Sequence, residues 1–149
     1  MNTADNYGAT PLFFAAQEGH LEVVELLLAQ RGVSVDAVGG EYETTPLMAA
    51  ANKATPLFWA AQEGHLEVVD LLLAQRGVVV DAVDEDHGAT PLMVAAGQGH
   101  AEVVQKLLSS RASAGKQDKE GHTAEDYARN EGHGHVVACL LYTSDAADE

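Results

Sequence analysis

Cysteine is nearly missing from this chain. Cys139 stands alone among 149 residues, which excludes a disulfide framework and any metal site built from several thiolates. Basic residues are also scarce. The eight Lys and Arg (Arg31, Lys53, Arg76, Lys106, Arg111, Lys116, Lys119 and Arg129) are scattered among 23 Asp and Glu, and the formal net charge is −15. A phosphate backbone or an anionic membrane would be repelled, because affinity for either comes from clustered Lys and Arg. No nucleic acid and no membrane are therefore expected as partners, whereas an acidic surface speeds encounter with basic proteins. No apolar run approaches the ~20 residues that span a bilayer. Met1-Asn2-Thr3-Ala4-Asp5 has neither the basic nor the apolar region of a signal peptide. These absences lead to the expectation of a soluble, intracellular chain, cytoplasmic or nuclear. Aromatics are only 5% of the residues while apolar residues reach 46%, much of that Ala, Leu and Val. That excludes a disordered composition and suits helices packed closely through small side chains.

What is present is a repeat. Thr-Pro-Leu occurs at 10–12, 45–47, 55–57 and 90–92, with a degenerate Thr-Ala-Glu at 123–125. Gly-His occurs at 19–20, 64–65, 99–100 and 132–133, and each is followed by an apolar helical segment: LEVVELLLAQ, LEVVDLLLAQ, AEVVQKLLSS and GHVVACLL. The successive threonines are 35, 10, 35 and 33 residues apart.

Each piece has a physical job. Thr10, Thr55 and Thr90 can cap a short first helix, A, with Pro11, Pro56 and Pro91 at its first position, where the missing N–H costs nothing. Gly19, Gly64, Gly99 and Gly132 can take the left-handed turn that ends helix A. His20, His65, His100 and His133 fall in the turn between helices and read as structural, bonding neighbouring backbone. Ala15-Ala16, Ala60-Ala61 and Ala95-Ala96 let helices of adjacent repeats approach. In helix B, Leu21, Val24, Leu27 and Leu28 form one stripe, with Glu22 and Glu25 on the other face. Gly32 and Gly77 are placed to end helix B. Trp59, which replaces Phe14 at the equivalent position, reads as core.

Over about residues 1–138 the chain resembles the ankyrin repeat family, through Gly8-Ala9-Thr10-Pro11-Leu12, Ala15-Ala16, Gly19-His20-Leu21-Glu22-Val23-Val24, Leu27-Leu28 and their counterparts further on. The resemblance implies an all-α solenoid of helix-turn-helix pairs joined by hairpin loops, here about four repeats plus one truncated repeat at 44–54. The sequence departs from the family where a His usually follows Thr-Pro-Leu. Phe13, Met48, Phe58 and Met93 stand there, so apolar packing is expected in place of the buried hydrogen bonds of that His.

The truncated repeat is a problem of geometry. Residues 9–38 and 54–83 are almost the same sequence, and TTPLMAAANKA at 44–54 between them is a helix A with no helix B. A helix over 46–53 would be about 12 Å long. Starting a second helix A beside it means covering roughly 16 Å, whereas Asn52 to Thr55 spans only about 10–11 Å. Ordinary stacking of two successive layers is therefore excluded. The expectation is irregular geometry at 44–56, with residues 46–63 departing from the repeat. Either they form one helix kinked at Pro56, or 46–53 serves as a makeshift helix B, or the gap is an assembly error. The last residues, 139–149, resemble translated sequencing-adapter sequence and are expected to be a non-native tail, although Cys139, Leu140 and Leu141 fall on the helix B positions of Lys106, Leu107 and Leu108. The start resembles the middle of a repeat, so the chain reads as a fragment of a longer protein.

No catalytic constellation is present. Nucleophile elbow, phosphate loop and Ser-His-Asp order are all lacking, so the expectation is no enzyme and no cofactor. His133 and His135 lack a third ligand, so no metal is expected. His87 and His122 read as surface contacts on hairpins, and Asp84-Glu85-Asp86 as a solvated charged turn.

The resemblance implies protein–protein binding on the concave surface of hairpin tips and helix A ends. Carried over by position, that surface comprises Asn6, Tyr7, Gln17, Glu18, Glu41, Tyr42, Gln62, Glu63, Asp86, His87, Gln98, Glu120, His122 and Asn130. Ala9, Thr44, Ala89, Lys119 and Glu131 lie beside them, and Tyr7 and Tyr42 are the expected anchors. The expected molecule is a monomeric scaffold for a basic partner protein. The alternatives are a targeting segment of a larger enzyme or channel, or a truncated assembly product without a function of its own.

Overall fold

Helix starts follow the threonines. Thr55 and Thr90 are extended, and their hydroxyls accept the N–H of Phe58 (3.3 Å) and of Met93 (3.2 Å), with Pro56 and Pro91 next in line. Thr123 has no proline after it. It closes a reciprocal cap instead: its hydroxyl accepts from the Asp126 N–H, and the Asp126 carboxylate accepts from the Thr123 N–H at 2.9 Å. At the family's usual His position, Phe13, Phe58 and Met93 are all buried. Packing there is not purely apolar, because the Met93 sulfur accepts the Thr90 N–H at 3.3 Å.

The computed structural model describes residues 11–31 and 54–147, with side chains through Tyr142. Among them are eight helices and no strand: α1 (Pro11–Glu18), α2 (Leu21–Leu28), α3 (Pro56–Glu63), α4 (Leu66–Leu73), α5 (Pro91–Gly97), α6 (Ala101–Ser109), α7 (Ala124–Asn130) and α8 (Gly134–Ala147). Odd-numbered helices are the A helices and stack in one layer; even-numbered helices are the B helices and stack in the other. The core runs between the layers through Leu57, Leu92, Val69, Val104, Leu72 and Leu107, all at 0–1% exposure. Helix B ends without glycine: α4 is closed by Ala74 in the right-handed region, and Gly77 shapes the exit loop three residues later.

Helix α1 packs directly on α3, and α2 on α4, so no layer lies between the first and third units. The Phe13 and Trp59 rings meet edge to face with centroids 6.1 Å apart. The helix kinked at Pro56 does not form: Ala54 and Thr55 precede α3 outside the helix, Thr55 caps it and Pro56 opens it. The irregularity expected at 44–56 is therefore absent from 54–56, and the departure expected over 46–63 is absent from 54–63. Residues 44–53, and the makeshift helix B expected at 46–53, lie outside the described residues. The physical reason is burial. A lone helix A brings no helix B to seal its second side, whereas α1 and α3 seal each other when they meet directly.

The ends of the stack differ. On α2, Val23 is 45% and Leu26 67% exposed; in α4, which has α2 as a neighbour, the counterpart of Val23 is Val68, at 1%. On α8, Leu140 is buried at the position Leu107 holds in α6, and the helix continues to Ala147.

Candidate functional site

The Gly-His pairs couple one unit to the next. His65 Nε2 lies 3.0 Å from the Gln17 carbonyl oxygen, and His100 Nε2 lies 2.9 Å from that of Gln62. The partner is thus the preceding unit, not the histidine's own turn. This explains why His65 and His100 precede helix B without capping it by a side-chain hydrogen bond. The ring also dictates the glycine. A methyl on Gly19 would sit 2.6 Å from the His65 ring, one on Gly64 2.7 Å from His100, and one on Gly99 2.7 Å from His133. In the last unit His135 also reaches back, its Nε2 3.3 Å from the Gly99 carbonyl oxygen. His133 and His135 meet edge to face, and among the described residues no third His, Cys, Asp or Glu joins them as a metal-holding group.

Two hairpin tips are built around aspartates. Asp84, at 2% exposure, accepts the N–H of Ala89 (2.7 Å) and of His87 (3.3 Å), and His87 Nδ1 stands 3.1 Å from the same carboxylate. It is a buried turn organiser, which corrects the reading of 84–86 as a wholly solvated turn; Glu85 and Asp86 are exposed. Asp118 repeats the device. Its carboxylate accepts from the N–H of Glu120 (2.9 Å) and His122 (2.8 Å) and from the Tyr127 hydroxyl (2.6 Å). The two tips join where the Lys119 N–H donates to the His87 carbonyl at 2.9 Å and the Lys119 ammonium donates to the Glu85 carbonyl.

These bonds set the charge state. Burial pushes the Asp118 carboxyl up, but donation by Tyr127 and by the backbone of His122 and Glu120 outweighs it and holds the group at about 2. Burial, then the carboxylate of Asp118, raises the Tyr127 phenol above its ordinary value, so it stays a donor. Asp126 is also lowered, first by the Thr123 N–H. The consequence for stability has a definite sign. Because the folded Asp118 value lies below its ordinary 3.8, this contribution is present above pH 4 and is lost between pH 4 and 2. Tyr127→Phe should therefore lower stability by about 1.5–3 kcal/mol at pH 7, the range for a hydrogen bond to a charged group. The gap to the parent should narrow as the pH falls from 4 to 2. Urea unfolding at pH 7, 4 and 2.5 checks this; a gap that stays constant with pH would contradict it.

Most of the described residues expected to bind a partner reach solvent. Glu18, Glu63, Asp86, His87, Gln98, Glu120 and Asn130 are exposed, and Gln62 and His122 are half-buried. Gln17 does not belong with them: it is 8% exposed, its carbonyl holds His65, and its Oε1 has no partner. Ala89 is likewise buried, because its N–H anchors Asp84. Asn6, Tyr7, Glu41 and Tyr42 lie outside the described residues, as does Thr10. Pro11 is exposed, while Gly132 turns with φ +79° and has nothing within 4 Å of its missing methyl.

Sequence reasoning missed a stripe. Phe14, Trp59, Val94 and Tyr127 occupy one position in successive A helices. Trp59 is core at 4% exposure, although its Nε1–H has no partner. Aligning the repeats would have exposed the stripe and its one small member, Val94.

A family model described as ankyrin repeats, three copies, matches residues 1–84, 41–118 and 57–148. The chain belongs to the ankyrin repeat family. The match spans nearly its whole length in overlapping windows, as expected of a motif recurring every 33–35 residues. No curated protein sequence matches the chain significantly. No described helix of this ankyrin-repeat chain is long and apolar enough to cross a membrane.

Proposed function

We propose that the chain is a non-catalytic scaffold that holds a basic partner protein on the side formed by hairpin tips and helix A ends. Ankyrin repeats are generally protein–protein interaction modules. The observation that carries the finer reading is the exposure of Glu18, Glu63, Asp86 and Glu120 along that side of the stack, within a chain whose net charge is −15. An excess of negative charge steers positively charged partners, and rim charges act mainly on the association rate. On this reading the repeat array occupies residues 1–138 as about four repeats plus one truncated repeat at 44–54, and 139–149 is a non-native tail. We place the protein inside the cell, as a monomer.

The test is selection of displayed peptides on the immobilised chain. Selected peptides should be rich in Lys and Arg, and their association should slow with added salt. Glu63→Lys, Asp86→Lys and Glu120→Lys together should weaken capture at least tenfold. The same reversal at Glu22, Glu67 and Glu102, exposed on the B layer, should leave it nearly unchanged. Equal losses from both triples would refute the assignment of the face.

A further inference from the structure

The stripe of Phe14, Trp59, Val94 and Tyr127 is aromatic at three positions and small at one. Where Val94 stands, the surface opens into a notch of about 340 Å³ lined by Phe58, Trp59, Gln62, Asp84, His87, Ala89, Val94 and Tyr127. Trp59 and Tyr127 contribute from the units on either side, Val94 and Ala89 from the unit between, and the hairpin residues Asp84 and His87 close one flank. The size is at the lower end of ligand sites and suits one large side chain with part of its backbone.

We propose that this notch seats a single large apolar side chain, such as leucine, methionine or phenylalanine, from an extended basic segment of the partner. The proposal rests on the partner-binding reading above and names what that face selects. Three observations carry it. The lining is mainly hydrocarbon, from Phe58, Trp59, Ala89, Val94 and Tyr127. The one carboxylate in it, Asp84, is already occupied by the Ala89 and His87 donors, so it has little left for a cationic head. The carboxylates free to meet cations stand just outside: Glu63 follows Gln62 and Asp86 precedes His87, and both are exposed. An apolar residue at the centre with Lys or Arg beside it satisfies both zones, since a buried ammonium would lose its hydration without a partner.

The experiment is an array of synthetic peptides with two lysines on each side of one central residue, varied through all twenty, titrated against the whole chain by fluorescence of Trp59, its single tryptophan. Central Leu, Met or Phe should bind roughly tenfold tighter than Ala, as burial of a few methylenes implies. Val94→Phe, which places at this position the residue already present as Phe14, should erase that preference while leaving lysine-dependent binding. Val94→Ala should shift the preference toward the largest residues. Binding that depends on lysine but ignores the central residue, or a preference that survives Val94→Phe, would overturn the notch and leave the acidic face standing. No binding by any peptide would overturn both.

Discussion

Gly64→Ala should lower stability by about 2–4 kcal/mol, whereas Gly132→Ala, at the same place in the last unit, should cost only about 1–2 kcal/mol. Both glycines have left-handed φ, +75° and +79°, so both variants suffer the same backbone penalty. They differ in what the new methyl meets. At Gly64 it lands 2.7 Å from the His100 ring; at Gly132 nothing lies within 4 Å. The extra cost at Gly64 is displacement of that ring and loss of its bond to the Gln62 carbonyl. Combining Gly64→Ala with His100→Ala should therefore cost less than the sum of the two, because the second change removes the obstacle to the first. Denaturant unfolding of the four variants decides it. Equal losses at Gly64 and Gly132 would show that the histidine ring yields freely.

Val68→Asp should be more damaging still, by about 3–5 kcal/mol, because it leaves an unpaired charge where exposure is 1%. Val23→Asp makes the same chemical change at the third residue of an almost identical helix, where exposure is 45%. It should cost less than about 1 kcal/mol. Helix propensity and the dipole act alike on both, so the difference isolates the packing of α4 against its neighbours. Thermal melting of the pair checks it, and similar losses would mean that α2 is covered in solution.

The comparison of Val23 with Val68 also shows how far the sequence could be read. The starts of the A helices were legible because Thr-Pro acts within one turn, and local chemistry is what a motif records; the ends of the B helices, expected at glycine, fall at Ala29 and Ala74. His65 and His100 were read as bonding neighbouring backbone; that backbone belongs to the adjacent unit, and a repeat unit carries no mark of which carbonyl there its ring will reach. Asp84 was misread because three acidic residues in a row look solvated; the bonds that bury one of them form only when the hairpin closes. Gln17 fell on the expected surface by analogy with Gln62 and Gln98, yet the three run from buried through half-buried to exposed. The junction before α3 was judged on chain length between successive A helices. The stack instead matches α1 to α3, where complementary faces already exist, and skips the layer in question. Of the candidate site, the charged rim was visible from position alone. The notch was not, because it is made by the absence of a ring at Val94 relative to the units on either side.

The histidine coupling gives the molecule a polarity. The rings of His65, His100 and His135 reach backward, each from a later unit to a carbonyl of the one before it. Trimming the solenoid from its C-terminal end frees carbonyls, which water serves readily, and bares the apolar side of the helix pair left last. Trimming from the N-terminal end strips a ring of its acceptor and bares the apolar side of the next B helix, the condition already seen in exposed His20 and Leu26. Successive shortening thus differs in kind at the two ends, releasing carbonyls when the tail is removed and imidazole rings when the head is removed.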